Sequence, residues 1–169
     1  MFKKFIILSL LNLSIQSVIA EDDIEYSLEY LIDSYNSYPI EGKEDAKKTF
    51  ANANWLIINR DNESTYYANY NYVNANKPNQ PEAWTKIVVE KDLSKDGLGV
   101  GDFKMMLMRF NCSSKTYTPI KYTEYNKKTG TAITDFDFPS YTQAKVITPE
   151  TVGDSQLKWA CFYSHIKNN

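Results

Sequence analysis

His165 is the only histidine in this 169-residue sequence, and it directly follows Ser164. A serine beside a histidine suggests a nucleophile and its general base, but helix neighbours project in different directions and cannot share a proton. Zinc wants several His, Cys or carboxylate ligands, and the two cysteines here have a better use. Asp135 and Asp137 stand two apart and could share a strand face. Paired carboxylates can run acid–base hydrolysis or hold calcium, yet no further oxygen ligands accompany this pair. A strand end beside Pro139 is an ordinary place for solvated charge. Gly97-Leu-Gly-Val-Gly101 looks like a phosphate cradle, but the dinucleotide motif needs a strand before it and a helix after it. A strand-like stretch follows here, which makes the segment a hairpin loop. Asn62-Glu-Ser64 and Asn111-Cys-Ser113 match the N-glycosylation sequon, which matters only in a eukaryotic secretory pathway. These readings predict no catalytic, metal or cofactor site, and a protein that is not an enzyme.

Cys112 and Cys161 are the only cysteines, so one intramolecular pairing exists. Their meaning depends on compartment. Met1 to Ala20 has the three parts of a secretory signal: Lys3 and Lys4, the apolar run Phe5 to Leu13, and small residues ending at Val18 and Ala20. The run is too short for a bilayer, which needs roughly 20 apolar residues. No later segment is apolar enough to be transmembrane. Export makes a disulfide the expected state, with two buried free thiols as the alternative. On the chain-entropy model, closing the loop from Cys112 to Cys161 stabilises by about 4 kcal/mol.

The 20-residue signal carries 2 of the 19 basic residues and no acid, leaving 17 basic against 21 acidic, a net charge of −4. A mildly acidic chain without a basic block is a poor nucleic-acid partner. Lys115, Lys121, Lys127 and Lys128 could still form a local basic patch for matrix proteins or glycosaminoglycans; a solvated face is their default reading.

These residues need elements to hold them. Ile24, Leu28, Leu31, Ile32 and Tyr35 have helical spacing and predict a helix from about Asp22 to Tyr35, within an N-terminal helical arm over 21–52. Glu41 to Ala51 adds one short helical turn. Such an arm either binds a partner or covers exposed sheet. From Asn54 the period becomes two. Strands are expected over Trp55–Arg60, Ser64–Val73, Trp84–Glu90, Phe103–Cys112, Lys115–Tyr125 and Thr131–Phe136, with a loop over Phe138–Val146. In the second strand Tyr66, Tyr70 and Tyr72 share a face with Ala68. In the fourth, Met106, Met108, Phe110 and Cys112 form one apolar row, while Leu107 lies on a partly wet side with Arg109 and Asn111. The 13 tyrosines, 8 phenylalanines and 3 tryptophans suit cross-strand pairing or a recognition surface.

Thr148 to His165 reads as a closing helix with two candidate starts. One is Pro149 at the first helical position after Thr148; the other is Thr151-Val-Gly-Asp154, a capping-box variant. Leu157, Ala160, Cys161 and Ser164 share a face, so Cys161 can pin the helix to the Cys112 row. The fold class is α+β: an antiparallel sheet of about six strands, a C-terminal helix disulfide-tethered to one face, and the N-terminal arm.

From Asn54 to Cys161 the chain resembles the bacterial surface-adhesin protein E family. The resemblance lies in Trp55-Leu-Ile-Ile58, Tyr66-Tyr67, Trp84-Thr-Lys86 and Met108-Arg-Phe-Asn-Cys112. It continues in Tyr117, Tyr122 with Tyr125, Thr151-Val-Gly-Asp154 and Leu157-Lys-Trp-Ala-Cys161. It implies a surface-adhesin protein E-like domain over 53–169 whose helix is tethered to the concave side of the sheet. It also implies homodimer formation and binding of host laminin, vitronectin and plasminogen. No binding residue carries over. The founding adhesin looks like a lipoprotein, but no cysteine stands near Ala20 to be lipidated. A periplasmic, secreted or cell-surface location is therefore expected. The functional expectation is a non-enzymatic exported protein-binding module, or otherwise a periplasmic structural or inhibitory partner.

Overall fold

A computed structural model describes residues 26–169. The secretory signal expected over 1–20 and the helix start expected at Asp22 lie outside these described residues. The chain opens with α1, Leu28–Asn36, whose N-terminus is capped by Ser27: its hydroxyl accepts from the Tyr30 amide at 3.1 Å. Pro39 then separates it from α2, Ile40–Asn52. At 13 residues α2 is a full helix where the charged composition predicts one turn. Its few apolar positions account for this, because Ala46 and Phe50 are four apart and both pack into the core.

Six strands follow in a meander: β1 Leu56–Arg60, β2 Ser64–Asn74, β3 Glu82–Val89, β4 Phe103–Asn111, β5 Thr116–Tyr125 and β6 Ala132–Asp137. They pair antiparallel in chain order, so each strand neighbours the next. A two-residue strand, β7 Lys145–Val146, pairs with Thr116 and Tyr117 at the start of β5, inside the stretch expected to be loop.

The alternation along β4 selects the covered face. Met108 and Phe110 are almost fully buried, with Met106 and Cys112 packed beside them. Their ladder partners continue the face: Ala83 opposite Met108, Thr85 opposite Met106 and Tyr117 opposite Phe110. On β2 the simple alternation breaks. Ala68 pairs with Thr85 and Val73 with Ala83, so five steps on β2 meet two on β3. Three surplus residues invert the parity of the strand. Val73 joins Ala68 and Tyr70 in the core, and Tyr72 turns outward to stack on Trp55 with ring centroids 5.0 Å apart. Tyr72 thus leaves the face expected for it.

The closing helix, α3 Val152–Asn168, uses the second of its two expected starts and runs three residues past His165. Thr151 is its N-cap, accepting from the Asp154 amide at 3.4 Å, while the Asp154 carboxylate accepts from the Glu150 amide at 3.2 Å. That pair is a variant of the capping box: aspartate stands in the usual glutamate place and reaches back to the Glu150 amide, one residue before the N-cap. Leu157, Ala160, Cys161, Phe162, Tyr163 and Ile166 bury against the sheet and the N-terminal helices. Cys161 is bonded to Cys112, with Cα atoms 5.8 Å apart. The arm divides: α1 packs on α3, whereas α2 packs on β2 and on α3. α3 and α2 thus cover one face of the sheet, and α1 lies on α3 outside them.

Candidate protein-binding face

The residues that could do chemistry are placed one by one by this frame. Ser164 is fully buried and its hydroxyl donates to the Pro78 carbonyl at 3.0 Å, tying α3 to the β2–β3 loop. His165 Nε2 lies 2.8 Å from Asn36 Oδ1, a contact with α1 rather than with Ser164. Asp135 and Asp137 do share a face, but both project into solvent and flank Lys121, whose Nζ lies 2.8 and 3.4 Å from them. The Lys121 ammonium, together with the Thr123 hydroxyl, holds the Asp135 carboxyl below its ordinary range. A carboxyl so stabilised as the anion is a poor general acid, and both side chains are more than half exposed rather than enclosed. Among the described residues no group of three or more His, Cys, Asp or Glu could hold a metal ion.

The glycine-bearing loop between β3 and β4 is structural too. Asp102 is buried, and its carboxylate accepts from the Gly99 amide at 2.9 Å and the Lys127 amide at 2.8 Å. It thereby joins this loop to the β5–β6 turn, and those two amides hold its pKa down, the Lys127 amide most. Gly101 makes the approach possible: its φ is +87°, and a β-carbon there would sit 2.4 Å from Lys127 Cδ. On the far side of the same loop Glu63 accepts from the Ser94 hydroxyl and from the Leu93 and Ser94 amides. Both ends of the loop are therefore pinned, with no helix N-terminus behind the glycines to receive a phosphate.

The four lysines do not form one patch. Lys115 precedes β5, and Lys127 and Lys128 follow it, about 30 Å away along ten residues of strand. Lys121, between them, is neutralised by its two aspartates.

What the fold does assemble is the second face of the sheet. The ladders place Ile57, Tyr67, Lys86, Met105, Thr123 and Asp135 in one row across all six strands. A second row holds Val88, Phe103 and Tyr125, and a third Trp84, Leu107, Lys121 and Asp137. None of these residues belongs to the core cluster, and the apolar ones among them are half-buried. Phe103 and Tyr125 stack with centroids 4.9 Å apart, and Lys86 Nζ sits 4.6 Å over the Phe103 ring. Arg109 is held to Glu82 at 2.6 Å at the rim. The surface is thus an aromatic and aliphatic band crossed by Lys86, with the Arg109–Glu82 and Lys121–aspartate pairs toward its margin, a mixture compatible with protein contact. The partly wet side expected around Leu107 is this face. Its extent was not legible strand by strand, because only the register brings Trp84, Phe103, Leu107 and Tyr125 together.

Comparison with protein-family models matches residues 55–162, well over half of the chain, to one described as surface-adhesin protein E. Comparison with curated proteins and with solved structures gives no significant match.

Proposed function

Since the chain belongs to the surface-adhesin protein E family, we propose that it is a non-enzymatic, exported protein-binding module whose contact surface is the uncovered face of the sheet. The observation that carries this is the apolar band Trp84, Val88, Phe103, Met105, Leu107 and Tyr125, which no helix of the described residues covers. Contiguous apolar surface of this kind on a folded chain marks an interaction site. In this reading residues 1–20 are the secretory signal, 21–52 the arm, and 53–169 the binding domain. The resemblance in residues points to host laminin, vitronectin and plasminogen as partners, and to a homodimer.

Binding of the mature protein to immobilised laminin, vitronectin and plasminogen, across a salt titration, tests this. Saturable binding that Trp84→Ser with Leu107→Ser weakens at least tenfold supports it. No saturable binding to any of the three removes the adhesin version. A second reading is a periplasmic structural or inhibitory partner of unknown target. Labelling of intact against lysed cells separates the two: protein reached only after lysis is periplasmic.

A further inference from the structure

The two edges of the sheet are finished differently. At one edge β1 is half-buried, α3 packs on it, and a bulge interrupts it between Ile57 and Asn59. The Asn59 side-chain amide also donates to the Ser155 hydroxyl at 2.8 Å, which ties β1 to α3. At the other edge every residue of β6 is exposed, and the strand contains no lysine, arginine or proline to discourage pairing. We propose that the free edge of β6 is a strand-addition site, which takes an extended partner segment with basic residues on one side and apolar residues on the other.

The ladder with β5 determines which groups the edge offers. The Phe138 amide donates to the Ile120 carbonyl at 2.9 Å, so these opposed residues form a hydrogen-bonded pair. Bonded and non-bonded pairs alternate along an antiparallel ladder, which makes Phe136 with Tyr122, and Thr134 with Glu124, bonded pairs too. Asp135 and Asp137 fall between them. Their main-chain N–H and C=O groups therefore point away from β5, toward the open edge. Their side chains stand on the open face, 53% and 78% exposed, and share the one ammonium of Lys121. Two carboxylates against one ammonium leave a negative charge at the edge. On the opposite side Phe136 is 49% exposed and meets Phe138 edge-on, with centroids 4.9 Å apart. An added strand thus finds main-chain partners, carboxylates on one side and aromatic rings on the other. Edges that capture extended peptides work in this way, with main-chain bonds for affinity and alternate side chains for selection.

The same charges select the occupant. A second β6 added about a two-fold axis must set its outward residues against these outward residues. Over the regular stretch 134–138, beyond the bulge at Ile133, the outward residues are Asp135 and Asp137 alone. Every such register therefore places a carboxylate opposite a carboxylate on the open face, which is destabilising. A segment with Lys or Arg at positions two apart replaces that repulsion with opposite-charge pairs. Aliphatic or aromatic residues between those positions point to the other side and meet Phe136.

The probe is a short acetylated peptide of alternating lysine and valine, added to the whole mature protein. A peptide of alternating glutamate and valine is its control. Amide exchange followed by NMR reads the contact residue by residue. The lysine peptide should slow exchange of the Asp135 and Asp137 amides several-fold and leave the Phe136 amide, already bonded to Tyr122, unchanged. It should bind about tenfold more tightly than the glutamate peptide, because two cross-strand charge pairs change sign. Asp135→Lys combined with Asp137→Lys should reverse that preference. Asp135→Pro removes an outward donor and no bond to β5, so it should weaken binding while the β4–β5 ladder stays protected. No binding of the lysine peptide overturns the proposal, and so does a preference that the charge reversal leaves unmoved. Binding without protection of the two amides means that the carboxylates alone attract the peptide, which overturns strand addition. Amides already protected in a self-associated protein assign the edge to a second copy and overturn it likewise. Should Asp135→Pro fail to fold, the charge-reversed variant decides.

Discussion

The two faces of the sheet are made from the same strands, yet they have been given opposite tasks. On β4, Phe110 and Phe103 are the same residue type seven positions apart and so fall on opposite faces. Phe110 is 1% exposed beneath α3, whereas Phe103 stacks on Tyr125 at the surface under a lysine. The covered face is closed by a helix capped at Thr151 and by a disulfide. The open face has no covering element among the described residues, and its order comes from side chains gripping their neighbours across the ladder. Stability is concentrated on one side of the sheet, which leaves the other free to carry the half-buried apolar residues of the proposed contact surface.

The largest effect that would test this division is loss of the disulfide. Replacing Cys112 and Cys161 by serine should cost about 4 kcal/mol on the chain-entropy model, read from urea unfolding. A cost below about 1 kcal/mol would mean that α3 docks without its tether. Next comes the matched pair on β4. Phe110→Ala should cost roughly 3–5 kcal/mol, and Phe103→Ala about 1–2 kcal/mol since less area leaves water. Equal costs would erase the distinction between the faces. Thr151→Ala should remove about 1 kcal/mol through the lost cap, with thermal unfolding as the readout. The smallest effect belongs to two carboxylates held as anions by their hydrogen-bond partners. Asp135, held low by Lys121, and Asp102, held low by the Lys127 amide, stabilise the fold above their ordinary values near 4. That contribution should fade as pH falls through their depressed folded values, because the unfolded chain then binds more protons. Asp135→Asn should flatten the pH 5 to pH 2 slope of the melting temperature slightly, and Asp102→Asn likewise.

The covered face was legible from sequence because period two is strict along β4: Met106, Met108, Phe110 and Cys112 could be read as a row without knowing their neighbours. The pairing of Cys112 with Cys161 followed from there being no third cysteine. Tyr72 was not legible, since nothing in Ala68 to Val73 announces three surplus residues; only pairing with β3 reveals them. The helix α2 escaped notice because it docks through Ala46 and Phe50 alone, too few to stand out as a stripe among Lys, Glu and Asp. The candidate surface was half legible. Leu107, Arg109 and Asn111 identified a mixed side of one strand, but its continuation through Trp84 and Tyr125 depends on register, which is a property of pairs. The four lysines misled for the complementary reason: closeness in sequence near β5 was no guide when a ten-residue strand lies between them.

The order of the strands has a consequence for how the molecule is made. Because β1 to β6 pair with their immediate successors, each hairpin can form on the one before it with short loops to close, a topology that favours rapid growth of the sheet. The helix that covers Met108 and Phe110 comes after all of them in the chain. During that interval the growing sheet is apolar on both sides, and only one of those sides has a covering on the way. The meander is thus a period of exposure to aggregation that ends on one face when α3 docks. A bond from Cys112 to Cys161, formed once that docking has occurred, makes the end of the interval irreversible under oxidising conditions.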